Sequence, residues 1–198
     1  MSQKPPPIQF DEDRKASLFD RFWIVTMLLF LGIGLYFVFS EISKPSRPLE
    51  FNIVDASITQ FSLSSDNTLY YNFKLNITVR NPNYDGGYRS EISITAISYY
   101  KGNKFAMVDM DSFAPDCKKT VLKPVVFYGN SLIKLNAQQL MEYDNETRSR
   151  IFNLDLKLNL EDNKYIYCIG LKIPLISNKN LESSFNVTQC SREYGGWG

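Results

Sequence analysis

Hydrophobic and polar positions alternate along most of this chain, and one early stretch breaks the alternation. Between Phe22 and Phe39 it reads FWIVTMLLFLGIGLYFVF, uncharged, with Thr26 its most polar member. As an α-helix this run extends about 27 Å, close to the roughly 30 Å hydrocarbon core of a bilayer. A helix packed in a soluble core carries polar residues at helical spacing, and this run does not. Aromatic rings favour the membrane–water interface, and Phe22, Trp23, Tyr36, Phe37 and Phe39 stand at its two ends. A cleaved signal peptide has a shorter apolar segment and a shorter leader, although Val38 and Ser40 form a weak cleavage-like pair. The pattern predicts one uncleaved transmembrane signal-anchor helix over 22–39, in contact with the lipid bilayer.

From Phe51 onward the period is two. In 69–79, Leu69, Tyr71, Phe73, Leu75, Ile77 and Val79 alternate with Tyr70, Asn72, Lys74, Asn76 and Thr78. One apolar face against a mostly polar one is the signature of a half-buried antiparallel strand. The stretch 152–160 repeats it, with Phe152, Leu154, Leu156, Leu158 and Leu160 on one face. Further strands are expected over 51–61, 90–100, 104–110, 119–127, 164–175 and 183–190. Turn residues separate them at Asn81-Pro82-Asn83, Asp85-Gly86-Gly87, Lys101-Gly102-Asn103 and Ser177-Asn178-Lys179-Asn180. One segment reads as helix, 136–148. Asn136 and Gln139 form a capping-box pair, Leu140 is placed on the inner face, and Asp144-Asn145 is a candidate early end. Seven or eight short-turned strands predict an all-β fold, a β-sandwich with one short helix, preceded by the transmembrane helix.

The flanks complete the organisation. Residues 1–21, with the Pro5-Pro6-Pro7 run, lack a hydrophobic set to bury and read as a disordered cytosolic tail. Residues 40–50 carry two prolines and read as a juxtamembrane linker. The sandwich is expected over 51–190, and 191–198 forms a flexible C-terminal tail. Lys4, Arg14, Lys15 and Arg21 precede the span, whereas only Lys44 and Arg47 follow it closely. Excess cations mark the cytoplasmic side, so the N-terminus is expected inside and the C-terminal domain outside, a type II topology.

Composition removes several chemistries. The formal net charge is +1, which points to no nucleic-acid partner. The chain has no histidine, so Ser-His-Asp and Cys-His catalysis and His-ligated zinc are excluded. Asp109, Asp111 and Asp116 could at most hold Ca²⁺ weakly, and a solvated strand edge explains them better. No catalytic, cofactor or metal site is expected, and the oligomeric state is left open. Three cysteines, Cys117, Cys168 and Cys190, follow the span and fit no zinc spacing.

A set of ordered motifs then carries a resemblance. Val79-Arg80-Asn81-Pro82-Asn83 closes a strand, with Tyr88 shortly after, then Tyr99-Tyr100-Lys101-Gly102-Asn103-Lys104-Phe105-Ala106. Val121-Leu122-Lys123-Pro124-Val125-Val126-Phe127-Tyr128-Gly129-Asn130-Ser131 follows, then Cys168, Leu171-Lys172-Ile173-Pro174-Leu175 and Thr188-Gln189-Cys190. Over about residues 22–190 this order resembles the plant NDR1/HIN1-like (NHL) proteins, which carry a group 2 late-embryogenesis-abundant domain. The resemblance implies a single-pass plasma-membrane protein with an extracellular sandwich often compared to fibronectin type III. It also implies roles in plant defence, including the hypersensitive response, and in stress responses. Where the family has a basic strand, this chain has only Leu160-Glu161-Asp162-Asn163, which puts any partner site on that strand in doubt.

Read by themselves, Asn81, Pro82 and Asn83 suit the end of a strand and a turn, and Tyr99-Tyr100 suits a sheet position with one ring in and one out. The leading functional expectation is binding, through a protein or cell-wall partner outside. The alternative is a lipid-binding module with an apolar groove in Val121–Tyr128, lined by Val125 and Phe127. Three cysteine pairings are possible. Cys168 and Cys190 are favoured because neighbouring antiparallel strands would bring them together and because the resembling family has cysteines at both positions. Both are expected on the strand faces of Lys164, Lys172, Asn186 and Thr188, away from Tyr165, Tyr167, Phe185 and Val187, with Cys117 as the odd thiol near Pro115. If the domain never enters an oxidising space, all three stay reduced. Sequons at Asn76, Asn145 and Asn186 are candidate glycosylation sites for a luminal domain, with Asn145 the most accessible.

Overall fold

Packing begins with which faces of the elements are apolar. A computed structural model describes residues 12–42, 47–83, 91–161, 164–176 and 185–192, without the side chains of 12–20, 41 and 42. It divides into two units, Met1–Ser46 and Arg47–Gly198. Tyr88 and the Asp85-Gly86-Gly87 and Ser177–Asn180 turns lie outside the described residues.

The first unit is helix α1, Glu12–Ile42. Its stretch Arg21–Ser40 is long and apolar enough to cross a membrane, and none of it is buried against protein. Thr26 Oγ1 donates to the Phe22 and Trp23 carbonyls, and Ser40 Oγ to that of Phe37. Both hydroxyls are thus satisfied within the helix, as a hydrocarbon environment demands. The helix corrects the expected boundaries. It starts ten residues before Phe22, inside the segment read as disordered. Glu12, Arg14, Lys15 and Ala16 are good helix formers, and an existing helix extends at little cost. The linker is also shorter than 40–50, because helix takes its start and Leu49, buried in the domain, its end.

The second unit is a two-sheet sandwich. Its strands are β1 (Glu50–Leu63), β2 (Thr68–Arg80), β3 (Ile92–Tyr100), β4 (Asn103–Phe113), β5 (Thr120–Leu132), β6 (Ile151–Leu160), β7 (Lys164–Pro174) and β8 (Thr188–Gln189), with helix α2 (Ala137–Ser149) between β5 and β6. One sheet has the order β5-β2-β1-β8 and the other β4-β3-β6-β7, all paired antiparallel. The alternation in 69–79 becomes β2, whose odd-numbered residues are all buried. Ile53 lies opposite Ile77, and Phe73 opposite Phe127. The Phe73 and Phe127 rings stack at 4.5 Å between centroids. Across the sandwich, Phe61 meets Tyr100, Phe105 and Phe152 at 4.7–5.8 Å. Each such buried large apolar side chain contributes about 1.5–3 kcal/mol.

Two backbone devices set the register. Between β3 and β4, Lys101 (φ 49°) and Gly102 (φ 80°) both take left-handed angles, giving the two-residue turn that matches strand twist. In β7, Gly170 (φ 70°) forms a bulge opposite Asp155, whose Oδ1 accepts the Gly170 N–H at 2.8 Å. The bulge flips the side-chain parity of β7, so Cys168 does not share the Lys172 face. It points inward with Ile166 and is fully buried, whereas Lys172 is exposed.

Helix α2 has the expected capping box: Asn136 Oδ1 accepts the Gln139 N–H and Gln139 Oε1 accepts the Asn136 N–H. It runs through Asp144-Asn145 to Ser149 and is closed by Arg150 in the left-handed region. Leu140 is exposed rather than inward. Tyr143 is the residue that reaches the core, near the Phe152 ring, and its hydroxyl accepts the Leu63 N–H at 2.9 Å.

Candidate functional site

Polar groups on the folded domain gather in two clusters, one buried and one half-buried, and apolar groups gather on one outer face. The first cluster is built by the Asn81-Pro82-Asn83 stretch after β2. Pro82 lacks a donor and fixes φ, which ends the strand. Asn81 is fully buried. Its Nδ2 donates to the Pro115 carbonyl at 2.9 Å, and its Oδ1 accepts from the Asn83 N–H and Nδ2. Its backbone exchanges bonds with Lys118 and Lys119 before β5. Asn83 then binds the Arg47 backbone twice, donating to its carbonyl at 2.8 Å and accepting its N–H at 2.7 Å. The motif is a junction that holds the entry segment, the end of β2 and the β4–β5 connection.

The second cluster joins the β3–β4 turn to α2. Tyr100 is fully buried and its hydroxyl donates to Glu146 Oε2 at 2.8 Å. Burial, then the neighbouring Glu146 carboxylate, pushes that phenol far above its usual pKa. Lys101 Nζ bridges Glu142 at 2.6 Å and Glu146 at 2.8 Å, and the Lys101 carbonyl accepts from Gln139. Burial opposes the Lys101 charge, but its bonds to the two glutamates raise its pKa overall. Lys101 in turn holds the Glu142 carboxyl below the usual range. Tyr99, its neighbour on β3, is half-buried.

The outer faces differ from each other. On the β6–β7 side, Lys157 Nζ sits 3.8 Å from the Tyr165 ring centroid and 5.7 Å from that of Tyr167. On the other sheet, the outward side of β5 is apolar: Leu122, Val126, Tyr128 and Leu132 are 56–77 % exposed. Alternate residues Val125 and Phe127 are buried at 3 % and 0 %. They belong to the core, which removes the groove on which the lipid-binding reading rested.

The sequons occupy different settings. Asn76 lies on the outward face of β2, with Nδ2 donating to Asp55 Oδ2 at 3.2 Å. Asn145 is exposed on α2, and Asn186 is exposed before β8. Cys168 and Cys190 are joined, with Cα atoms 4.4 Å apart, but not as neighbours in one sheet. Cys168 is on β7, whereas Cys190 follows β8 and donates its N–H to the Phe51 carbonyl of β1. Ser191, assigned from the sequence to a loose tail, then exchanges two backbone bonds with Tyr167 of β7. Cys117 is half-buried and outside the disulfide. The aspartates are dispersed: Asp109 accepts from Thr95 at 2.7 Å and Asp116 from Lys119 at 2.7 Å. Among the described residues no group of three or more acidic or cysteine side chains could hold a metal. The junction around Asn81 was invisible to sequence reasoning, because its partners Arg47 and Pro115 are distant in the chain.

Comparison with curated proteins is decisive on ancestry. The chain is 30% identical over 177 residues to NDR1/HIN1-like protein 10 of Arabidopsis thaliana, covering 83% of this chain and 77% of that protein. It is also 30% identical over 185 residues to NDR1/HIN1-like protein 3 of the same plant, covering 86% and 78%. The chain belongs to the NDR1/HIN1-like family. No family model matches it. Both alignments are too long to fit within the sandwich, so this NDR1/HIN1-like chain shares more with its relatives than the folded domain.

Proposed function

We propose that this chain is a single-pass, type II plasma-membrane protein whose sandwich, residues 51–190, stands outside the cell and acts by binding in plant defence and stress responses. The observation that carries the reading is the Cys168–Cys190 bond in a domain that follows one apolar helix. Disulfides persist in oxidising compartments, and the cations Lys4, Arg14, Lys15 and Arg21 before the helix favour the cytosol for that flank. The defence and stress role, with the hypersensitive response in it, rests on the family resemblance. Binding is favoured over catalysis because the buried Asn81 and Tyr100 are held in structural junctions, to Pro115 and to Glu146. The partner is a protein or a cell-wall component, met on an outward sheet face. Protease added to intact protoplasts should remove a C-terminal tag and spare an N-terminal one, and the reverse pattern sinks the reading. Proximity labelling from the C-terminal tag should then return apoplastic neighbours.

A further inference from the structure

The outward face of β5 departs from ordinary strand patterning. Its inward residues Val125 and Phe127 fill the core, yet its outward residues Leu122, Val126 and Tyr128 are apolar as well and exposed. A soluble sheet exposes polar side chains on such a face, and a contiguous apolar stripe calls for a cover. The register shows what stands beside it. Asn76 on β2 pairs directly with Pro124 on β5, and Thr78 and Lys74 pair with Leu122 and Val126. Residues two apart along a strand are separated by about 7 Å, so Leu122 and Val126 flank the Asn76 row within the length of one or two sugar rings. Asn76 itself heads the sequon Asn76-Ile77-Thr78. Its amide already donates one N–H towards Asp55 on the β1 side, and the other N–H diverges from that direction.

We infer that Asn76 carries an N-linked glycan whose first sugars lie over β5 and cover Leu122, Val126 and Tyr128. The inference rests on the luminal placement of the domain proposed above. In the attachment step the Asn76 amide nitrogen bonds to the anomeric carbon of a polyprenyl-diphosphate-linked oligosaccharide. The carbon–oxygen bond to the diphosphate breaks, its electron pair leaves with the diphosphate, and one amide proton is released. The secondary amide so formed keeps one N–H, which continues to bind Asp55 Oδ2 and turns the sugar away from β1. The C–H-rich faces of the sugar rings then meet the aliphatic and aromatic side chains of the stripe, removing apolar surface from water.

The full chain, purified from plant membranes into phosphatidylcholine nanodiscs, tests this by glycopeptide mass spectrometry and hydroxyl-radical footprinting. Asn76 should be occupied. Asn76→Gln and Thr78→Val should each raise oxidation of Leu122, Val126 and Tyr128 several-fold, and Thr78→Ser, which keeps the sequon, should not. Met141, exposed on α2, should react equally in all and reports that the variants fold. A bare Asn76 beside an occupied Asn145 or Asn186 overturns the inference and leaves the topology standing. Three bare sequons overturn the topology and the inference with it. An occupied Asn76 whose loss leaves the stripe protected overturns the inference: protection that falls on dilution assigns the stripe to a second copy, and protection that does not assigns it to the bilayer.

Discussion

The Cα atoms of Cys168 and Cys190 lie 4.4 Å apart although their strands belong to opposite sheets. The bond therefore staples the two layers at the edge formed by β7 and β8, and Ser191 crosses with it to pair with Tyr167. With a sequence separation of 22, loop closure accounts for about 3 kcal/mol of stability. Cys190→Ser should lower the unfolding free energy by about that amount. Cys168→Ser should cost more, since it also buries a hydroxyl in the core. Non-reducing peptide mapping should recover a Cys168–Cys190 crosslink, and one containing Cys117 would count against the assignment.

Asn81 and Asn83 give a second expectation. Asn81→Ala leaves the Pro115 carbonyl without that donor and Asn83 without its acceptor, so a loss of about 2–3 kcal/mol is expected in thermal unfolding. Asn83→Ala should cost about 1–2 kcal/mol and speed proteolysis near Arg47. Because Asn83 grips the Arg47 backbone, Arg47→Ala should stay within about 0.5 kcal/mol of the parent. Equal effects of Arg47→Ala and Asn83→Ala would argue against the junction.

Docking of α2 should depend on pH at both extremes. The Glu142 pKa is lowered by Lys101, so its stabilisation is present above the ordinary carboxylate range near 4.3 and is lost as pH falls through the folded value. The Lys101 pKa is raised, so its stabilisation is present below about 10.4 and is lost as pH rises through the folded value. Amide exchange of α2, corrected for intrinsic rates, should therefore be slowest between about pH 5 and 10. Lys101→Met should flatten both limbs, and a profile unchanged by that substitution would contradict the clasp.

Neighbouring residues of β5 should respond in opposite ways. Phe127→Ala opens a cavity against Phe73 and should cost about 3–5 kcal/mol. Val126→Ser, on the exposed face, should stay within about 0.5 kcal/mol in thermal unfolding. Comparable losses at both positions would mean that the strand is buried on both sides.

The sequence alone determined the elements whose cause is local. The uncharged run from Phe22 to Phe39 and the period-two faces of β2 and β6 are set by solvent preference residue by residue. So is the capping box of Asn136 and Gln139, whose partners lie three positions apart. Tertiary structure decided what depends on distant partners or a local break in period. The Gly170 bulge reversed the facing of Cys168, because one inserted residue exchanges the two faces of a strand. The pairing of Cys168 with Cys190 across the sheets followed from β8 joining β1. Leu140 gave way to Tyr143 as the inward residue of α2, because the Leu63 N–H and the Phe152 ring lie beside Tyr143. Asn81 and Asn83 read locally as turn residues, and only the fold brought Pro115 and Arg47 to them. The stripe on β5 was legible as a run of apolar residues, but alternation cannot say which side of a doubly apolar strand is core. Packing against Phe73 decided that.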